Sequence, residues 1–257
     1  MKHTFLKAAF SASLLISCGA VNAALIDLST WQHDGQGTWT TQGVNNDSVF
    51  QSVNGQPTVF FEDGSNARNT AISGEITVQT TGDDDFIGFV LGYQDNEVTS
   101  NGSDFWLIDW KQGNQPSGGS TALAGLALSH VTNGSVENYF WGHHTGISEI
   151  ARGSSLGNTG WADNTTYSFD IIHTASLIQV KVDGNIELSV SAAQAGVAEF
   201  NDGAYGFYNY SQSSVLYAGL EERVIDPPSQ GVPEPTTLAI FGLGLLGLAS
   251  RKLKNNH

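Results

Sequence analysis

The chain has 257 residues, room for one domain with a self-sufficient core, and carries 10 basic against 25 acidic side chains for a formal net charge of −15 at pH 7. Such an excess of carboxylates repels phosphate backbones and excludes nucleic acid as a partner. A single cysteine excludes a disulfide framework and a thiolate metal site.

The first element in chain order is an export signal. Lys2 and Lys7 form a positive start, Ala8 to Ile16 a short apolar core, and Val21-Asn22-Ala23 offers the small residues a signal peptidase reads. Residues 1–23 are therefore predicted to be a signal peptide, cleaved before Ala24. Leu15-Ile16-Ser17-Cys18 also fits a bacterial lipobox, so lipidation at Cys18 stays open as a second reading. Cleavage before Ala24 leaves no cysteine. From Ala24 to Pro235 five basic side chains remain (Arg68, Lys111, Arg152, Lys181 and Arg223) against all 25 acidic ones, a balance of −20 that favours solubility and hard divalent cations.

The body, residues 24–225, reads as strands. Ser48–Val53, Thr58–Phe61, Ile72–Gln79, Phe86–Tyr93, Phe105–Trp110 and Leu123–Val131 are apolar runs bounded by Gly, Asn, Asp, Ser and Thr. Alternation is clearest later: Tyr167, Phe169 and Ile171 alternate with polar residues, as do Ile178, Val180 and Val182. Asp183-Gly184 then marks a type I′ hairpin, with Ile186 to Val190 returning. Ala192–Phe200 reads as one short helix or an irregular link, and Ala204–Tyr210 and Val215–Glu222 close the set. Many short strands with little helix predict an all-β fold, an antiparallel β-sandwich or jelly roll. Phe60, Phe86, Phe89, Trp106, Phe169 and Phe207 are its candidate core.

A Pro-rich linker follows over 226–235, overlapping a three-part C-terminal address at 232–257. That address reads Val232-Pro233-Glu234-Pro235, an apolar run from Leu238 to Ala249, then Arg251-Lys252-Leu253-Lys254. The run falls short of the roughly 20 residues a spanning helix needs, and its basic flank favours the cytoplasmic side. It reads as a short hydrophobic helix that halts transfer, with a plain membrane anchor as the alternative. The pattern resembles the PEP-CTERM sorting signal of Gram-negative bacteria. That resemblance implies an exported protein, transient inner-membrane contact, processing by an exosortase-type enzyme, and a destination at the cell surface or in the exopolysaccharide matrix.

A second resemblance lies in the body. Asp83-Asp84-Asp85-Phe86-Ile87-Gly88-Phe89-Val90-Leu91-Gly92-Tyr93-Gln94 is followed in order by Trp110-Lys111-Gln112, Trp141-Gly142-His143-His144-Thr145-Gly146, Gly160-Trp161-Ala162-Asp163 through Tyr167, and Gly203-Ala204-Tyr205-Gly206-Phe207 with Ser211-Gln212. These segments resemble the thrombospondin C-terminal domain. The resemblance implies an L-type-lectin-like (concanavalin A-like) sandwich and bound calcium. The acidic repeats and cysteines of thrombospondins are absent, so adhesion that depends on them does not carry over.

Asp83, Asp84 and Asp85 are the foremost candidate metal ligands, since adjacent carboxylates repel unless a cation or solvent offsets them. In an extended segment Asp83 and Asp85 would face one side and Asp84 the other. Calcium takes six to eight oxygens, so Asp104 and Asp109 across the sheet are further candidates, with Asp95 a more distant one. A solvated strand opening is the competing reading. His143-His144 would face opposite sides of a strand and read as structural. Trp31, Trp39, Trp141 and Trp161 would stack on sugar rings if exposed, or fill the core. For catalysis, E-x-D-x-x-E, G-x-S-x-G, P-loop and H-E-x-x-H patterns are all missing.

The sequence thus supports a non-enzymatic, calcium-binding structural or adhesion protein of the cell surface or biofilm matrix. Extracellular polysaccharide or surface proteins are its expected partners. A carbohydrate-binding lectin-like module is the alternative, and a secreted glycan-active enzyme the third reading.

Overall fold

Strand-forming runs must bury their apolar faces against one another, and in the computed structural model, which describes residues 24–225, they do so as two antiparallel sheets. The predicted signal peptide, the predicted linker from residue 226 onward and the C-terminal address lie outside the described residues.

The first sheet runs, in spatial order, β15 (Asn185–Ser191), β14 (Leu177–Val182), β13 (Thr166–His173), β6 (Thr70–Val78), β17 (Val215–Val224), β4 (Ser48–Gln51) and β3 (Trp39–Gln42). β1 (Ala24–Leu25) pairs with β17 beyond the end of β4, Ala24 opposite Glu222. The second sheet runs β12 (Ile147–Arg152), β11 (Gly125–Asn133), β8 (Asn101–Lys111), β7 (Phe86–Tyr93), β16 (Ala204–Tyr210), β5 (Thr58–Phe61) and β2 (Gln32–Gly35). A small hairpin, β9 (Gln115–Ser117) with β10 (Ser120–Ala122), and the helices α1 (Glu137–Gly142) and α2 (Ala192–Ala195) complete the described elements, with two single 3-10 turns.

The two sheets enclose the main core. Phe60, Phe89, Trp106, Phe169 and Phe207 all lie within it. Phe86, the sixth core candidate, points the other way. It joins a second apolar layer with Phe61, Val90, Phe105, Phe140, Trp141 and Tyr208, where α1 covers the outer face of the second sheet. The middle of that sheet is therefore buried on both faces, and every residue of β7 and β16 is buried. This explains why its strands read as continuous apolar runs. Alternation survives in β13 and β14, whose sheet keeps one face in solvent.

The Asp183-Gly184 turn forms as expected, both residues at positive φ (48° and 77°) between the paired Val182 and Asn185. Ala192–Phe200 is a four-residue helix with a Ser191–Gln194 capping box, then irregular chain. The tryptophans are not a sugar-stacking platform. Trp31, Trp141 and Trp161 are buried, and Trp39 is half-buried against the core with its Nε1 donating to Thr58 Oγ1 (3.0 Å). Among the described residues no helix is long and apolar enough to cross a membrane.

Candidate functional site

The acidic triplet sits where the chain enters β7, just ahead of its first residue, Phe86. Because this stretch is not yet strand, the expected alternation does not apply. Ligand oxygens of Asp83, Asp84 and Asp85 lie within 4.8 Å of one another. β8 places Lys111 opposite Phe86, so its side chain reaches the triplet. The ammonium donates to Asp85 Oδ1 (2.6 Å), Asp84 Oδ1 (3.3 Å), the Asp84 carbonyl (2.9 Å) and Gln115 Oε1 (3.0 Å). Lys111 is fully buried, and its Nζ lies 5.4 Å from the Phe86 ring centroid and 5.1 Å from that of Trp141, within cation–π range.

Other segments hold the same loop. Asp85 donates its amide to Gln212 Oε1 (2.9 Å), and its carbonyl accepts from Trp161 Nε1 (3.1 Å). The Gln112 amide donates to the Asp84 carbonyl (3.2 Å), while Gln112 Nε2 donates to Asp163 Oδ1 (3.1 Å). Gly160 passes so close that a Cβ there would lie 1.9 Å from the Gln112 carbonyl oxygen. Asn54 donates its side-chain amide to Asp83 Oδ2.

Asp83 is left without a cation. Burial and the neighbouring Asp85 push its carboxyl up from 3.8 to about 6. Asp85, by contrast, is turned into the protein onto Lys111. The triplet can therefore offer oxygens of Asp83 and Asp84 to a hard cation, while Asp85 is committed internally. This donor set is all oxygen and suits calcium or magnesium better than a softer metal.

The other acidic candidates do not join the triplet. In the β7–β8 register Asp109 lies opposite Gly88, past the start of β7, and its Oδ2 meets His143 Nε2 at 2.8 Å. Asp104 is farther along β8 and meets His130 at 2.7 Å. Asp95 accepts from Gln32 and Asn96. The two histidines diverge as expected, although from a helix end and not a strand. His143 caps α1 in the left-handed region, and His144 Nε2 sits 2.8 Å from Ser120 Oγ.

Sequence reasoning passed over the group around His143. Besides Asp109, its Nδ1 faces Glu149 Oε2 (3.6 Å) and Ser129 Oγ (3.4 Å), and Arg152 binds Glu149. Burial alone would lower the His143 pKa, but Asp109 and Glu149 outweigh it and hold it at about 9. The hydrogen bond from His143, assisted by Arg152, holds Glu149 down at about 2. Ser129, His143 and Asp109 thus follow the order of a hydrolase triad. Ser129 is fully buried, and an imidazolium at neutral pH has no lone pair with which to take the serine proton. The adjoining cavity, about 30 Å³ between Phe86, Trp141, His143 and Arg152, has room only for water.

The residues gathered at the loop come from segments spread over more than a hundred positions, and comparison with known proteins gives that grouping a source. The family described as "Thrombospondin C-terminal region" matches residues 34–226. The chain belongs to this family. Human Thrombospondin-3 is 29% identical to it over 168 residues, which are 60% of this chain and 17% of that protein. Rat Cartilage oligomeric matrix protein is 28% identical over 168 residues, 60% of this chain and 21% of that one. The thrombospondin C-terminal domain here thus spans about a fifth of such relatives. Among solved structures, the carbohydrate binding module CBM66 from Bacillus subtilis matches with TM-score 0.54 at 10% identity, over 76% of this chain and 95% of that one. A Bacillus subtilis protein with a galectin-like fold matches with TM-score 0.50 at 8% identity, over 77% and 90%. At such identities the likeness shows a shared sandwich fold. The PEP-CTERM protein-sorting motif matches residues 231–254 and marks an exported protein.

Proposed function

We propose that this thrombospondin C-terminal domain is a non-enzymatic, calcium-binding β-sandwich that works as a structural or adhesion module at the cell surface or in the exopolysaccharide matrix of a Gram-negative bacterium. An exosortase-type enzyme would process its C-terminal signal. The observation that carries the calcium reading is the arithmetic of the loop: three converging carboxylates share one ammonium, and Asp83 is the one left over. Asp83 and Asp84 would hold the ion, which would supply the missing positive charge and tie the loop ahead of β7 to its neighbours. The lack of catalysis is supported by the protonated state of His143 and the burial of Ser129.

Scanning calorimetry of the purified protein in chelator and in excess calcium tests this. Calcium is expected to raise the melting temperature by several degrees, because a ligand held only by the folded state stabilises it by mass action. The shift should grow as pH rises through 6, where Asp83 loses its proton. Asp83→Asn should remove most of it. Superimposable curves with and without calcium would sink the assignment.

A further inference from the structure

The first sheet keeps its outer face in solvent, and the strand register lines polar side chains across it. Lys181 on β14 pairs with Asp170 on β13, Asp170 with Ser73 on β6, and Ser73 with Glu221 on β17. These four span three inter-strand steps, roughly 14 Å. Two residues along the same face, Ser168 pairs with Glu75. Between Ala218 and Glu221, β17 carries a bulge against β6, with Gly219 at φ 61° and Leu220 turned into the core. No atom lies within 4 Å of where a Gly219 Cβ would stand, so the face is bare there. The outcome is an open depression of about 660 Å³ with a floor of small residues and a rim of charged ones.

The rim has unused hydrogen-bonding capacity. Asp170 is held by Arg223 (2.8 and 3.0 Å), but among the described residues Lys181, Glu75 and Glu221 have no ion-pair or side-chain hydrogen-bond partner. Glu75, Asp170 and Glu221 outnumber Lys181 and Arg223, which disfavours an anionic ligand on a body already at −18. The lining presents no exposed large apolar side chain to anchor a lipid or an amphipathic helix. β13 and β6 are paired on both sides, so no free backbone edge invites a peptide strand. What remains complementary is an uncharged chain rich in hydroxyls, whose O–H groups donate to the carboxylates and whose oxygens accept from the lysine.

We infer that this groove binds a segment of a neutral polysaccharide, about two or three sugar units long, edge-on through hydroxyls and without aromatic stacking. Each contact is weak, and a polymer with repeating units gathers strength by engaging many copies of the domain. The inference concerns a different face from the Asp83 loop and stands whether or not calcium binds.

A glycan array carrying uncharged and uronate-containing oligosaccharides, probed with the purified protein in chelator and in calcium, tests it. Saturable binding to uncharged glycans is expected. Lys181→Ala and Glu221→Gln should each weaken it at least about tenfold, as befits a lost charge-assisted hydrogen bond. Both positions are at the surface, so the melting temperature should not change. No binding to uncharged glycans, a preference for uronates, or undiminished binding by both variants overturns the inference.

Discussion

Lys111 is the residue on which the loop turns. It lies in the Trp110-Lys111-Gln112 match, yet nothing in the spacing shows that the lysine is buried or that its ammonium faces Asp84 and Asp85. Asp85 is itself only 2% exposed. Lys111→Met would keep the stem and strand the carboxylate, an uncompensated buried charge that costs about 3–5 kcal/mol. Urea unfolding should register that loss, and a change below about 1 kcal/mol would mean that solvent already balances the loop. His173 makes a separate demand. It is buried, neither ring nitrogen has a well-formed hydrogen bond among the described residues, and burial drops its pKa from 6.5 to about 4. The folded state therefore binds fewer protons than the unfolded chain between those values. Stability present above pH 6.5 is lost as pH falls toward 4. Chemical melts at pH 7 and pH 5 should show this decline, and His173→Leu should lessen it. An equal decline in the variant would assign acid sensitivity to other groups.

At the scale of elements, buried apolar runs were legible and short exposed edges were not. Thr58–Phe61, Phe86–Tyr93 and Ala204–Tyr210 coincide with the expected strands to the residue. β2, β3 and the β9–β10 hairpin are three- or four-residue, largely exposed pieces, too short to show a period. β12 is an edge strand with mixed burial, so its sequence carries no clean alternation. The loop around Trp161 is also invisible to periodicity, although Gly160 is the reason it can approach Gln112. Gly160→Ala would push a methyl into a backbone carbonyl, which cannot swing away as a side-chain end can. A destabilisation of about 1–3 kcal/mol is expected, together with weaker calcium stabilisation because Gln112 supports Asp84. A variant as stable as the parent in thermal melts would show that the segment shifts freely.

For the whole molecule, charge and connectivity set the terms. A body at −18 with no cysteine has to stabilise itself by packing, and it does so with two apolar layers sharing one sheet. β17, the last strand, lies between β6 and β4, so the first sheet closes only when the end of the body is in place. The same strand starts near the acidic loop, where Gln212 binds Asp85, and ends beside Ala24. Both ends of the described body thus leave from one pole, with the candidate cation loop at the other, roughly 30 Å away along β17.

Composition, spacing and apolar patterning by themselves determined the fold class, most strands and the acidic triplet, and the likeness of the C-terminus to a sorting motif marked the protein as exported. These rest on local signals: turn residues, runs and motifs that are read without knowing what lies across the sheet. Tertiary structure alone decided that the dispersed segments converge on Asp83–Asp85, and that a buried lysine satisfies one side of the triplet. It also decided that Asp109 serves His143, that the tryptophans are interior, and that a polar groove opens over the β17 bulge. Each of these depends on strand register and on which face a side chain takes, and register is a property of paired strands that no single strand records.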